Sequence, residues 1–147
     1  MEIRVATPED IQYVSANLRD SDKVEIWASH RRRPEDLPEV CKDVECWVGV
    51  DDNVPFCLFG CNDADGYGSP WLLATDAINF HSIWFLKQSK RLAKLWLWRH
   101  GKLTNYIHAE NETSILWLIW LGFSFPESVM FNGVKFLRFE KRGVNHV

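Results

Sequence analysis

The stretch that decides the fold is NYIHAENETSILWLIWLGF, residues 105–123. Its first part, residues 106–108, favours an extended strand. Asn111 then stands where an N-cap side chain accepts a hydrogen bond from the first free amides of a helix. The apolar run 115–121 follows, and Gly122 can adopt the left-handed conformation that ends a helix. The stretch therefore predicts a strand, a capped helix and a stop.

The spacing of apolar residues, together with the positions of turn residues, predicts the other elements on both sides of this stretch. Thr7 is placed to cap a first helix that has Pro8 at its first position. Residues 62–70 are predicted as a loop. Strands are predicted at residues 2–6, 45–50, 55–61, 71–75, from 103, at 129–131 and at 134–139. Hairpin turns are predicted at 51–53 and 132–133. Helices are predicted after Thr7, at 23–30, at 82–100 and from 112. The predicted order is β α α β β β α β α β β within one domain, residues 1–147.

Spacing within the deciding stretch resembles that of a known superfamily. Counting from Asn111, Ser114 lies at plus three, Gly122 at plus eleven and Phe123 at plus twelve. These offsets resemble the second half of the GNAT N-acetyltransferase fold, whose pattern is Asn, a small residue, Leu-Tyr and Leu-Gly-Phe. The resemblance implies an α/β (α+β) fold with a central mixed, mostly antiparallel sheet of about six to seven strands flanked by helices.

Several residues on which the chemistry of that superfamily depends are missing from this sequence. The resemblance places Leu118 where a Tyr often protonates the departing thiolate of coenzyme A, and leucine has no proton to give. The pyrophosphate turn is expected at residues 75–82, TDAINFHS, which contain no Gly, Lys or Arg, and Asp76 adds a negative charge. Asp76 and His81 are the only titratable candidates for a base at this strand end. We therefore predict no catalytic residue and no cofactor.

The alternative is an active N-acetyltransferase with an unusual acetyl-CoA site. In that case Thr75, Asp76 and Asn111, with the backbone amides after Thr75, are the cofactor-binding candidates.

Five segments resemble a narrower family, the GNAT-like internal virion proteins of short-tailed bacteriophages. They lie between Arg4 and Phe125 and read RVATPEDIQYV, DSDKVEIWA, PWLLATDAI, FHSIWFLKQSKRL and LTNYIHAENETSILWLIWLGFSF. The resemblance implies a non-enzymatic structural or assembly protein that is found in the virion interior, and in the host cytoplasm during assembly. Its partners would be other virion proteins or further copies of itself. The basic triplet at 31–33 departs from this family, since a turn containing glycine is expected there.

Composition fits a single soluble, intracellular domain. The 147 residues are 46% hydrophobic, and the longest apolar run, 115–121, is too short to cross a bilayer. The net charge of −3 is unevenly distributed: residues 1–52 carry 13 acidic and 7 basic side chains (−6), whereas residues 53–147 carry 7 and 10 (+3). This asymmetry permits head-to-tail attraction, although solvated charged faces are the ordinary explanation.

Four cysteines, Cys41, Cys46, Cys57 and Cys61, fall within 21 residues. Zinc ribbons usually pair their thiols two to four residues apart on tight turns, whereas the second pair here lies on a predicted strand. We therefore favour small buried thiols over a metal site.

Aromatic and basic side chains mark two candidate surfaces. A helix that is apolar on all sides needs cover on all sides, and one sheet covers only one of them. The candidates for protein interaction are Trp96, Trp98, Trp117 and Trp120, unless flanking elements bury them. A basic stripe on the long helix consists of Lys87, Lys90, Arg91 and Lys94. That stripe would suit nonspecific DNA contact, but a solvated helix face is favoured because the chain is acidic overall.

Overall fold

The computed structural model describes residues 1–143. The seven strands are β1 (Glu2–Val5), β2 (Trp47–Asp51), β3 (Val54–Ala64), β4 (Tyr67–Ala74), β5 (Lys102–His108), β6 (Ser124–Phe131) and β7 (Val134–Arg142). The five α-helices are α1 (Pro8–Ala16), α2 (Asp20–His30), α3 (Leu37–Val40), α4 (Ser82–His100) and α5 (Glu112–Trp120). Two short 3-10 helices span Pro34–Asp36 and Asp76–Phe80.

The strands form one sheet in the order β1-β2-β3-β4-β5-β7-β6. The pairs β1–β2, β2–β3, β5–β7 and β6–β7 are antiparallel, whereas β4 and β5 run parallel and pair at Gly68 and Leu103. A parallel connection needs a crossover element, and α4 supplies it. The sheet is therefore mixed and mostly antiparallel, which confirms the predicted fold class.

Two compact units make up the chain. The first contains Met1–Gly60 and Trp71–Ser82, and the second contains Cys61–Pro70 and the chain from Ile83 onward. The core of the first unit includes Ile11, Val14, Leu18, Leu37, Val48, Val50 and Leu58. Buried side chains of the second unit include Phe85, Ala93, Trp96, Leu103, Ile107, Phe123, Phe136 and Phe139. A single domain over residues 1–147 stays a prediction.

Both ends of α5 form as the deciding stretch predicts. Asn111 Oδ1 accepts a hydrogen bond from the Ser114 amide at 3.3 Å. At the other end Gly122 has φ +91°, its amide bonds to the Ile119 carbonyl, and the Phe123 amide bonds to the Leu118 carbonyl. This bonding pattern is the Schellman motif, which satisfies the last carbonyls of the helix.

Several predicted boundaries are wrong. The predicted loop 62–70 is instead the hairpin of β3 and β4, which turns at Gly66 (φ +82°). The mostly polar residues 62–66 hid this hairpin, because residues 62–64 are the end of β3 and only Asp65 and Gly66 form the turn. The second helix begins at Asp20 rather than at residue 23, and the short helix α3 was not predicted.

Arg31, the first residue of the basic triplet at 31–33, adopts a left-handed conformation that favours glycine. Arg31 ends α2 with φ 53° and ψ 38°, which is left-handed, and its amide bonds to the Trp27 carbonyl at 3.0 Å. The guanidinium of Arg31 lies 5.0 Å from the centre of the Trp27 ring, and that of Arg33 lies 5.6 Å from it. Cation–π contact therefore accompanies an otherwise unfavourable backbone conformation.

Asp10 should make the stability of the first unit sensitive to acid. Burial acts to raise the pKa of Asp10, but the hydrogen bonds from Arg4 and Thr7 outweigh it and hold the pKa below its ordinary value of 3.8. Because the folded pKa lies below the unfolded one, ionised Asp10 stabilises the fold at higher pH, and this contribution is lost as pH falls through the folded pKa. We expect Asp10→Asn to flatten the pH dependence of the unfolding free energy below about pH 4.

Urea unfolding of both proteins between about pH 2 and pH 6 measures this slope. Glu9→Gln is the matched control, since Glu9 is an exposed neighbour on the same helix turn. Equal slopes for Asp10→Asn and the unmodified protein would contradict the assignment.

Candidate functional site

The connection between β4 and α4 uses three of its backbone amides for its own hydrogen bonds, and we call it the closed connection on that account. Residues Asp76–Phe80 form a 3-10 helix in which Thr75 Oγ1 accepts from the Ala77 amide at 3.2 Å and the Thr75 carbonyl accepts from the Ile78 amide at 3.1 Å. The His81 amide bonds to the Ile78 carbonyl at 3.0 Å. A pyrophosphate cradle requires backbone amides that point at the ligand. In this connection the amides of Ala77, Ile78 and His81 already donate within the chain, so these three do not point at a ligand.

The end of β4 is held in the same way. The Thr75 amide donates to the Phe56 carbonyl at 3.0 Å, and the Ala74 amide donates to Asp22 Oδ2 at 2.8 Å. Asp22 is 1% exposed and also accepts two hydrogen bonds from Arg19, at 2.7 and 3.2 Å. Burial raises the pKa of Asp22, while Arg19 and the Ala74 amide act to lower it. No local sequence pattern marks Asp22 as a site residue, because its partner amide lies 52 positions away.

Two titratable side chains stand at this connection. Asp76 is exposed and begins the 3-10 helix. His81 is largely buried, with its ring 4.5 Å from that of Phe56, and its Nε2 lies 3.4 Å from Asp51 Oδ2. A histidine with a carboxylate partner is the pairing that orients a general base. Asp51 was predicted only as a turn residue, and its position in the run Asp-Asp-Asn disguised this contact.

A side chain bridges β4 and β5 in the second unit. Pro70 has no amide hydrogen, so it interrupts the hydrogen-bond ladder of β4. Asn105 Nδ2 donates to the Pro70 carbonyl at 2.8 Å, and Asn105 Oδ1 accepts from the Tyr106 amide at 2.8 Å. Asn105 opens the deciding stretch, but no local pattern identified its partner 35 residues away.

The remaining acetyl-transfer candidates lie on α5. Asn111 uses its carbonyl oxygen as the helix cap. Leu118, to which the sequence resemblance gives the position of the superfamily's acid, is half-buried. Thr75 and Asp76 share the connection in the first unit, whereas Asn111 belongs to the second.

The four tryptophans differ in exposure. Trp98 is 84% exposed and Trp120 is 51% exposed, but Trp96 is only 7% exposed. Trp117 is half-buried, with its ring 6.3 Å from that of Phe85. The prediction that Trp96 lies on an interaction surface is therefore wrong: it packs on the inner face of α4, whereas Trp98 lies two positions on and points to solvent.

One face of α5 is left uncovered within its unit. Leu116, Ile119 and Trp120 are 64%, 53% and 51% exposed, and they lie at helical spacing. All four residues of the predicted basic stripe, Lys87, Lys90, Arg91 and Lys94, are exposed on α4. Lys90 Nζ lies 5.3 Å from the centre of the Trp120 ring. The structure thus brings the basic stripe to the edge of the apolar face.

The cysteines are buried, reduced thiols. Cys41 and Cys46 share a hydrogen bond, which together with burial raises the pKa of Cys46. Burial raises the pKa of Cys57 to about 12. Among residues 1–143, no three His, Cys, Asp or Glu side chains are grouped to hold a metal ion. The same residues contain no helix long and apolar enough to cross a membrane.

No protein-family model matches the chain, and no curated protein is similar to it. Several solved structures, however, are similar to this chain. The ribosomal-protein-alanine N-acetyltransferase of Brucella melitensis has a TM-score of 0.68 at 16% identity, over 97% of this chain and 99% of that one. A GNAT-family acetyltransferase of Streptococcus agalactiae gives 0.68 at 17% identity, over 98% and 96%. AAC(6')-Ib in complex with ribostamycin and coenzyme A gives 0.70 at 16% identity, over 95% and 92%.

The chain therefore has the fold of the GNAT N-acetyltransferases. At these identities the likeness defines the fold alone. The comparisons lend no support to the narrower resemblance to bacteriophage virion proteins.

Proposed function

We propose that this chain is a GNAT-fold protein that does not transfer acetyl groups and acts by binding other protein chains. The observation that carries the proposal is the closed connection between β4 and α4. There the amides of Ala77, Ile78 and His81 donate to Thr75 and Ile78 rather than pointing outward.

The energetic cost of opening that connection supports the proposal. An internal hydrogen bond contributes about 0.5–1.5 kcal/mol to stability, so freeing three amides costs about 2–4 kcal/mol before any phosphate is bound. That cost alone weakens a cofactor's affinity by roughly 30-fold to 1000-fold. The exposed carboxylate of Asp76 repels phosphates as well.

The transfer step also lacks its usual acid. The sequence resemblance places Leu118 where the superfamily's tyrosine often protonates the thiolate, and a leucine side chain carries no proton donor. A bound cofactor would therefore still need a different acid.

An N-acetyltransferase is the second candidate function, and the structural comparisons favour it over the first. The similar structures are N-acetyltransferases, and one of them contains coenzyme A. Under this candidate Thr75, Asp76 and Asn111 bind acetyl-CoA. His81, paired with Asp51, would accept the proton of the amine.

Calorimetric titration with acetyl-CoA separates the two candidates. We expect no binding at cofactor concentrations up to about 1 mM, because the closed connection and Asp76 both oppose it. Micromolar binding would overturn the proposal and support the enzyme. The variant Asp76→Asn then locates the bound phosphates, since it should tighten binding only if they lie at this connection.

The proposed virion role rests on the five sequence segments alone. If the chain is a virion component, we expect its peptides in purified phage particles. The number of copies per particle should then stay constant through density-gradient purification. Mass spectrometry of gradient fractions tests this, and loss of the chain during purification would count against a virion component.

A further inference from the structure

The uncovered face of α5 and the basic stripe of α4 form one continuous surface. We call it the basic-apolar face: Lys87, Lys90, Arg91 and Lys94 on α4, with Leu116, Ile119 and Trp120 on α5. The contact between Lys90 and the Trp120 ring joins the two halves. An exposed apolar patch rimmed by polar side chains is typical of protein interaction sites.

A patch of opposite charge lies in the first unit. We call it the acidic patch: Glu39, Asp43 and Glu45 around Val40 and Val44. The two valines are 40% and 38% exposed and lie four residues apart. Lys42 also lies here, 4.0 Å from Glu39, so three acids and one base give the patch a net charge of −2. The charge of the acidic patch is therefore opposite in sign to that of the basic-apolar face. Both surfaces have charged side chains around exposed apolar ones.

Other exposed apolar side chains of the first unit suit the basic-apolar face less well. Trp27 is 44% exposed, but the guanidinium groups of Arg31 and Arg33 lie over its ring. Docking Trp27 against the lysines of α4 would bring like charges together, which disfavours a contact.

We infer that the basic-apolar face binds the acidic patch of a second copy of this chain, so that copies associate head to tail. The inference rests on the proposed binding function, for which it names the partner. Because the two surfaces are different, a copy bound through one of them still carries the other, to which a further copy can bind, and repeated contacts of this kind build a ring or a filament.

Sedimentation velocity at rising protein concentration tests the contact. We expect species larger than a dimer to build up in 50 mM salt and to dissociate at least roughly tenfold more readily in 500 mM salt, because screening weakens exposed charge pairs. A strict monomer across the whole concentration range would overturn the inference.

Two charge-reversal variants make the test specific. Variant A carries Lys87→Glu and Lys94→Glu, and leaves Lys90 on Trp120. Variant B carries Glu39→Lys and Asp43→Lys. All four side chains are exposed, so each variant should fold normally by circular dichroism and lose self-association at least roughly tenfold. A matched control, Lys23→Glu with Lys135→Glu, reverses two exposed lysines outside both surfaces and should associate as the unmodified protein does.

Mixing the two variants decides between head-to-tail and symmetric contact. Variant A keeps the acidic patch and variant B keeps the basic-apolar face, so an equimolar mixture should form a complex that neither variant forms alone. No complex in the mixture would contradict head-to-tail docking.

Two further measurements test the remaining parts of the inference. Trp120→Ala should weaken association by at least roughly tenfold, as expected for an aromatic side chain at the centre of an interface. Salt-sensitive binding of duplex DNA by a protein that stays monomeric would assign the basic stripe to nucleic acid and overturn the inference. Acetyl-CoA titration is a separate experiment, so failure of the proposed function and failure of this contact can be told apart.

Discussion

Asp22→Ala is expected to remove roughly 3–5 kcal/mol from the free energy of unfolding, because it breaks a buried ion pair from one side. Asp22 is 1% exposed, and its carboxylate accepts hydrogen bonds from Arg19 and from the Ala74 amide. Without it, the mostly buried guanidinium loses its counter-charge and the amide at the end of β4 loses its acceptor. Urea unfolding measures the change, and faster hydrogen exchange at Ala74 locates it.

Two variants control this prediction. Asp20→Ala removes an acid from the same helix turn, but Asp20 is 99% exposed, so the cost should stay within about 0.5 kcal/mol. Asp22→Asn keeps an oxygen that can accept from the Ala74 amide and loses only the charge, so it should fall between the two. A cost for Asp22→Ala no larger than that for Asp20→Ala would show that the buried pair does not stabilise the fold.

Gly60→Ala is the second large effect, at roughly 3 kcal/mol, the upper end of the range for inserting a methyl group into a packed site. A Cβ atom at Gly60 would lie 2.4 Å from the Glu45 carbonyl oxygen and 3.0 Å from Trp71 Nε1. The first neighbour is backbone, so no side-chain rotation relieves the overlap. Thermal and urea unfolding of the variant measure the loss.

Alanine substitutions at two other glycines provide a comparison for the loss of stability expected at Gly60. Gly133 has φ +79° and open space around it, so Gly133→Ala should cost only about 1 kcal/mol, from the left-handed conformation. At Gly49 a Cβ would lie 2.8 Å from Cys57 Sγ and 2.9 Å from Phe56 Cζ, which are side-chain atoms that can shift. Gly49→Ala should therefore be intermediate. If Gly60→Ala cost no more than Gly133→Ala, the backbone at Glu45 would have to move away from Gly60 easily.

Local signals predicted the parts of the fold that depend on neighbouring residues. The cap at Asn111, the stop at Gly122, the helix from 82 to 100 and the turn at 132–133 all follow from side chains within a few positions of one another. Their order along the chain was sufficient to predict the sheet class.

Long-range contacts were not predictable in this way. Asp22 bonds to Ala74 across 52 positions, and Asn105 bonds to Pro70 across 35. Trp96 and Trp98 sit in one repetitive run, LWLW, so composition did not separate the buried side chain from the exposed one. The absence of glycine near Thr75 was visible in the sequence, but the internal use of the turn's amides required coordinates.

The closed connection after Thr75 also bears on how such a protein could change during evolution. Three of its amides, those of Ala77, Ile78 and His81, donate to the Thr75 hydroxyl, the Thr75 carbonyl and the Ile78 carbonyl. No single substitution by glycine releases all of them, because two of the three acceptors are main-chain atoms that every residue type carries. Freeing all three amides for a ligand would therefore need several replacements across this segment rather than one.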